Sequence, residues 1–322
     1  MKSRATLFLV FSLACSTALF GQGQAQQQSP ATDTVAPNIP GVVAGGTKVQ
    51  VIKEGFQGTE GPIAFTDGSL LFTEGNANRI TKIDNDGNTS TFLENTEQTN
   101  SLAFDSTGRL IGVARAPGGG RIHVLYPKGK EAVLADNIDG KPFGRPNDIV
   151  VDKKGGVYFT DMGLPPAAPP AVYYVPAGGK TIRVVNDVER PNGVQLSRDE
   201  RTLYLANTAG EYLLAFDIQD DGTLRNKRNF GKLENLVRSP EGVITGGADG
   251  IAIDNEGRVY TATSAGVQVL NPQGQHLGII PLSRAPQNLA FAGPDKKTLY
   301  VVGRSAAYKI QMLAEGFKGR VK

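Results

Sequence analysis

The sequence predicts an all-β chain folded as a six-bladed β-propeller, with four antiparallel strands in each blade. Three observations carry that expectation. One pattern recurs six times: a polar anchor, a short apolar strand, a turn and a second apolar strand. Its anchors lie 40, 47, 45, 57 and 38 residues apart, near the ~40 to 50 residues of a four-stranded blade. Glycine supplies 40 of the 322 residues, which suits many tight turns, and no convincing helical periodicity appears between them.

From the N-terminus, Lys2 and Arg4 precede an apolar run from Leu7 to Phe20 that closes on the small-x-small triplet Gly23-Gln24-Ala25. This is the pattern of an export signal, residues 1 to 25, and places the mature protein in the periplasm or outside the cell. The run is shorter than the ~20 apolar residues that span a bilayer. Cleavage after Ala25 removes Cys15, the one cysteine. Disulfides, thiolate catalysis and Cys-ligated zinc are thereby excluded. Residues 26 to 46 lack periodicity and are expected to be a flexible leader. The strand Lys48-Val-Gln-Val-Ile-Lys53 is expected to pair with the last blade and latch a single propeller domain, residues 47 to 322.

The six copies follow in order. They begin Glu60-Gly-Pro-Ile-Ala-Phe, Asn100-Ser-Leu-Ala-Phe-Asp, Asn147-Asp-Ile-Val-Val-Asp, Asn192-Gly-Val-Gln-Leu-Ser, Asp249-Gly-Ile-Ala-Ile-Asp and Gln287-Asn-Leu-Ala-Phe. Each is followed by a second strand such as Val157-Tyr-Phe-Thr-Asp or Thr298-Leu-Tyr-Val-Val, with room for two more. Tyr158, Tyr204, Tyr260 and Tyr300 recur in the second strands and are expected in blade cores. Asp105, Asp152 and Asp254 precede Gly-containing turns and fit turn chemistry.

A formal charge of +3, without a dense basic cluster, excludes an electrostatically driven nucleic-acid partner. Nor does any obligate protein partner emerge. No Gly-x-Ser-x-Gly elbow, dinucleotide fingerprint or P-loop is present. His123 and His276 are expected on outer strands or at the surface.

In a propeller the residue before each innermost strand sits at one mouth of the central channel. Glu60, Asn147, Asn192 and Asp249 therefore converge there and offer hard oxygen donors carrying two negative charges. Such a set suits a divalent cation, Ca²⁺ first, with Mg²⁺ and Zn²⁺ as alternatives. Asn and Asp before a strand also serve as turn formers, but turn chemistry alone does not require Glu60.

The motifs Glu60-Gly61-Pro62, Arg145-Pro146-Asn147-Asp148, Pro191-Asn192-Gly193, Asp249-Gly250 and Asn288-Leu-Ala-Phe, in this order, resemble the senescence marker protein, gluconolactonase and regucalcin-like family. The resemblance runs from about residue 54 to the end. It implies a divalent metal held by Glu60, Asn147, Asn192 and Asp249, substrate contacts from Arg145 and Asn100, and hydrolysis of sugar lactones. Ser101 departs from the glycine common in that group, Ala248 from proline, and Ile63 from an aromatic or Val. The expected mechanism is polarisation of a lactone carbonyl by the cation and attack by water, with Asp249 as general base. Hydrolysis of phosphotriesters or other esters at the same site, and ligand binding without turnover, are the rival expectations. The proline-rich segment from Gly163 to Ala171 is open to two assignments, pocket wall or exposed connector.

Overall fold

The computed structural model describes residues 29–115, 119–164, 168–238 and 242–320. The expected signal segment lies outside them. The propeller unit begins at Ala31 and its strands form six blades.

Each blade is a meander whose first strand is innermost. Those strands are Thr59–Ala64, Ser101–Phe104, Pro146–Val151, Pro191–Leu196, Ile251–Ile253 and Asn288–Ala292. Each packs against the next, and the sixth against the first, so the ring closes. The closing sheet confirms the latch: Lys48–Glu54 pairs antiparallel with Ala306–Gln311 as the outer strand of blade six. Closure leaves each blade only its outermost strand as an edge.

The apolar core is divided among six clusters, one between each pair of neighbouring blades. The four recurrent tyrosines lie in them as expected, each under 8% exposed. Alternating side chains of a strand face opposite sides of its sheet, so each blade feeds two clusters.

The flexible leader expected up to residue 46 is corrected by the packing. Thr34–Val35 adds a fifth strand outside Lys48–Glu54. Ala36, Ile39, Val42 and Val43 are buried between blades five and six. These side chains are apolar without period because Pro37, Pro40 and Gly41 turn the segment tightly, and it is tertiary packing that fixes it.

Two short hairpins explain the wide anchor spacings. Asn137–Ile138 with Lys141–Pro142 stands between blades two and three, and Val237–Arg238 with Ile244–Thr245 between blades four and five. No helix among the described residues is long and apolar enough to cross a membrane.

Candidate functional site

Three of the anchors are aimed by the same device. In blades one, three and four the ladder between the first two strands shifts by one residue just after the anchor, between Glu60 and Ile63, Pro146 and Ile149, and Pro191 and Val194. A bulge of this kind bends the strand and redirects a side chain. It brings Glu60, Asn147 and Asn192 to the channel mouth. Gly193, just after its anchor, has a distinct role: a Cβ there would lie 2.1 Å from the Asp249 carbonyl oxygen. Only glycine lets blades four and five approach so closely.

The loops carrying the anchors are held by polar side chains at the ends of the second strands. Glu74 accepts from the Gln57 amide at 2.8 Å, Asp161 from Arg145 at 2.6 Å, and Asn207 from Arg190 at 3.2 Å. Hydroxyls then tie each blade to the next. Thr73 donates to the Asn100 carbonyl at 2.8 Å, Thr160 to that of Asn192 at 2.6 Å, and Thr208 to that of Ala248 at 2.8 Å. Anchor positions are thus set by neighbours on both sides.

A cavity of about 990 Å³ opens at this mouth, and all six sequence-predicted site residues, Glu60, Asn100, Arg145, Asn147, Asn192 and Asp249, line it. A chain of amides crosses its floor. Asn100 Nδ2 donates to Asn147 Oδ1 at 2.7 Å, Asn147 Nδ2 donates to Asn192 Oδ1, and Asn192 Nδ2 donates to Thr208 Oγ1 at 2.9 Å. Glu60 accepts from Asn288 Nδ2 at 3.1 Å and Gln287 Nε2 at 3.3 Å. Among the described residues the Asp249 carboxylate has no hydrogen-bond partner.

The electrostatics follow from this crowding. Burial raises the Glu60 carboxyl above its usual range, against the Asn288 hydrogen bond and the Arg115 charge. Burial, then the negative charges of Glu60 and Asp148, pushes Asp249 well above the ordinary carboxylate value. Desolvation brings Arg115 down to about 10, opposed by Glu60. Two desolvated carboxylates beside a single buried guanidinium disfavour full ionisation unless another cation joins them.

Sequence reasoning missed Arg115 and Asp148. Arg115 stands just past the second strand of blade two, donates Nε to the Pro146 carbonyl at 2.8 Å and Nη2 to Asn147 Oδ1. The repeat carried a signal for it, since the matching position of blade six, just past its second strand, also holds an arginine, Arg304. Asp148 is 2% exposed and accepts from the Val194 amide at 2.9 Å and from Ser101 Oγ. The signal for it was Ser101: a hydroxyl buried in an innermost strand needs an acceptor.

The donor set fits a hard divalent cation in kind. Glu60 and Asp249 supply charge, and Asn192 Oδ1, with one hydrogen bond, keeps a second lone pair. Asn147 Oδ1 already accepts from Asn100 and Arg115, so it joins the set only once Arg115 withdraws. Among the described residues no three His, Cys, Asp or Glu side chains cluster to hold a metal; the fit rests on carboxylates joined by amide oxygens.

Other sequence expectations can be placed. Asp105, Asp152 and Asp254 each accept from the amides two and four residues on, at 2.8 to 2.9 Å, as turn residues do. His123 is buried rather than superficial and contacts Thr99 Oγ1 at 3.2 Å. Residues 165–167 lie outside the described residues; of the neighbouring segment, Met162 lines the cavity.

Comparison with known proteins agrees with the fold. Residues 58–305 match the SMP-30/Gluconolactonase/LRE-like region. A gluconolactonase of Zymomonas mobilis is 27% identical over 93% of this chain and 92% of its own length. Lactonase drp35 of Staphylococcus haemolyticus is 29% identical over 72% of this chain and 71% of its own. Regucalcin of Danio rerio is 27% identical over 82% and 89%. Among solved structures, a gluconolactonase of Xanthomonas campestris superposes with a TM-score of 0.74 at 24% identity, covering 89% of this chain and all but 1% of that one. At that identity the likeness speaks for the fold. With the family pattern spanning most of the sequence, the chain belongs to the SMP-30/gluconolactonase/LRE-like family.

Proposed function

We propose that this chain is an exported, divalent-metal-dependent lactonase that opens a sugar lactone by addition of water. The observation that carries this proposal is the meeting of Glu60, Asn147, Asn192 and Asp249 in one cavity, with the Asp249 carboxylate unengaged among the described residues. Relatives named gluconolactonase and lactonase support it.

A cation held by these oxygens, calcium first, supplies Lewis acidity toward the lactone carbonyl. The chain's own groups do the remainder. Asp249 takes a proton from the attacking water as the water oxygen bonds to the carbonyl carbon. The ring C–O bond then breaks, and the departing alkoxide takes the proton back from Asp249, leaving a hydroxy acid. Arg145 and Asn100 orient the substrate by hydrogen bonds to its hydroxyls, and Arg115 holds Asn147 in place until the cation takes that oxygen.

The test is a hydrolysis panel of five- and six-membered aldonolactones, simple esters and a phosphotriester, with products identified by mass. Faster turnover of lactones than of open esters supports the proposal. Turnover of phosphotriesters alone would reassign the site, and binding of lactone without product would make the chain a binding propeller.

A further inference from the structure

The cavity wall is strongly basic. Arg115, Arg145, Arg190, Arg238 and Arg304 line it against three carboxylates, Glu60, Glu189 and Asp249. A neutral sugar lactone needs no such excess. Arg115 is committed to the Pro146 carbonyl and Asn147, and Arg238 donates to the Gly242 carbonyl at 2.6 Å. Among the described residues the guanidinium groups of Arg145, Arg190 and Arg304 have neither a hydrogen-bond nor an ion-pair partner, and all three side chains are exposed at the cavity.

Their placement is ordered. Arg145-Pro146-Asn147 and Arg190-Pro191-Asn192 are one tripeptide repeated in neighbouring blades, each arginine two residues before an anchor and just ahead of its bulge. Both arginine amides are fixed by the second strand of their own blade, through Asp161 and Asn207. The two anchors are themselves joined by a hydrogen bond. Arg304 comes from blade six, in a two-residue hairpin in which Arg304 and Ser305 have φ of 49° and 66°. A turn with positive φ at both positions normally uses Asn and Gly, so a long cation is kept there against backbone preference.

We propose that Arg190, acting with Arg145 from the neighbouring blade, binds an ionised oxyacid group, carboxylate or phosphate, that the lactone carries away from its reacting ester. This rests on the lactonase proposal for the same cavity and narrows its substrate class to anionic sugar lactones. Guanidinium groups suit the task because their planar donors match carboxylate and phosphate oxygens in pairs.

Two matched pairs test it: D-glucono-1,5-lactone against its 6-phosphate, and D-glucono-1,4-lactone against D-glucaro-1,4-lactone. The ratio of kcat/KM, charged over neutral, is measured for the wild type, Arg190→Gln and Arg190→Lys. The wild type is expected to favour the charged member of one pair by about tenfold or more, the worth of a charge-assisted bond. The favoured pair tells phosphate from carboxylate. Arg190→Gln should lose most of that preference and Arg190→Lys, which keeps the charge but not the paired donors, retain part of it, and a ratio taken within one variant is insensitive to misfolded protein. Equal rates for both members in the wild type, or an unchanged ratio in Arg190→Gln, would overturn the proposal.

If no lactone is hydrolysed, the lactonase proposal fails while this one is still decided by calorimetry with the open acids. Tighter binding of 6-phosphogluconate or glucarate than of gluconate, lost in Arg190→Gln, upholds it; equal binding refutes it.

Discussion

Asn100 Nδ2 donates to Asn147 Oδ1 at 2.7 Å, joining two residues 47 positions apart across the boundary between blades two and three. The same oxygen accepts Arg115 Nη2. Asn147→Ala therefore leaves Arg115 Nη2 and Asn192 Oδ1 without these partners, while Asn100 Nδ2 keeps the Asn147 backbone carbonyl at 3.0 Å. It is expected to lower the stability of the metal-free protein by about 1–3 kcal/mol, the cost of unsatisfied buried polar groups, read as a shift of the urea midpoint at unchanged slope. A midpoint equal to wild type would show that water replaces the amide fully.

Gly193→Ala puts a Cβ against the Asp249 carbonyl. The backbone of blade five must give way, so activity is expected to fall more steeply than stability, with kcat/KM reduced at least about tenfold by displacement on the ångström scale. Steady-state kinetics beside thermal melts separate the two. Wild-type kinetics in the variant would contradict the close-packed account of this blade boundary.

Ile39, buried between blades five and six, provides a test away from the site. Ile39→Ala is expected to cost about 2–5 kcal/mol, as in other buried aliphatic truncations, in a denaturant titration. A mobile leader would give no change.

That position also shows what the sequence left hidden. The blades and anchors were legible because each recurs: Glu60, Asn147, Asn192 and Asp249 fall at one point of a pattern repeated six times, and closure of the ring brings that point together. Residues 36 to 43 occur once and carry no period, so their burial follows only from the groove between two blades. Arg115 recurs only as Arg304 in blade six, and its role depends on reaching into the neighbouring blade. The hairpin Val237–Arg238 with Ile244–Thr245 appeared only as the widest interval between anchors.

Buried His123 sets a pH dependence. Burial lowers its proton affinity, with Arg121 adding to the effect and Glu97 opposing it. Between the ordinary histidine value and the lower folded one, the unfolded chain holds a proton that the native state refuses. The stabilising contribution is therefore complete above about pH 6.5 and is lost as pH falls through the folded value. Stability should decline below that pH with a slope of up to about 1.4 kcal/mol per unit, and His123→Gln should flatten it. Urea titrations from pH 7.5 down to 5 read both curves; superimposable profiles would remove His123 as the cause.

The central claim, that a cation held at the channel mouth drives hydrolysis, is tested most directly by a calcium titration of chelator-stripped protein under saturating lactone, for wild type and Asp249→Ala. Turnover should rise from background to a plateau with calcium in the wild type, and in Asp249→Ala stay at least about a hundredfold lower, the range of general-base losses. Full turnover in chelator, or a calcium-dependent plateau in Asp249→Ala equal to wild type, would contradict it.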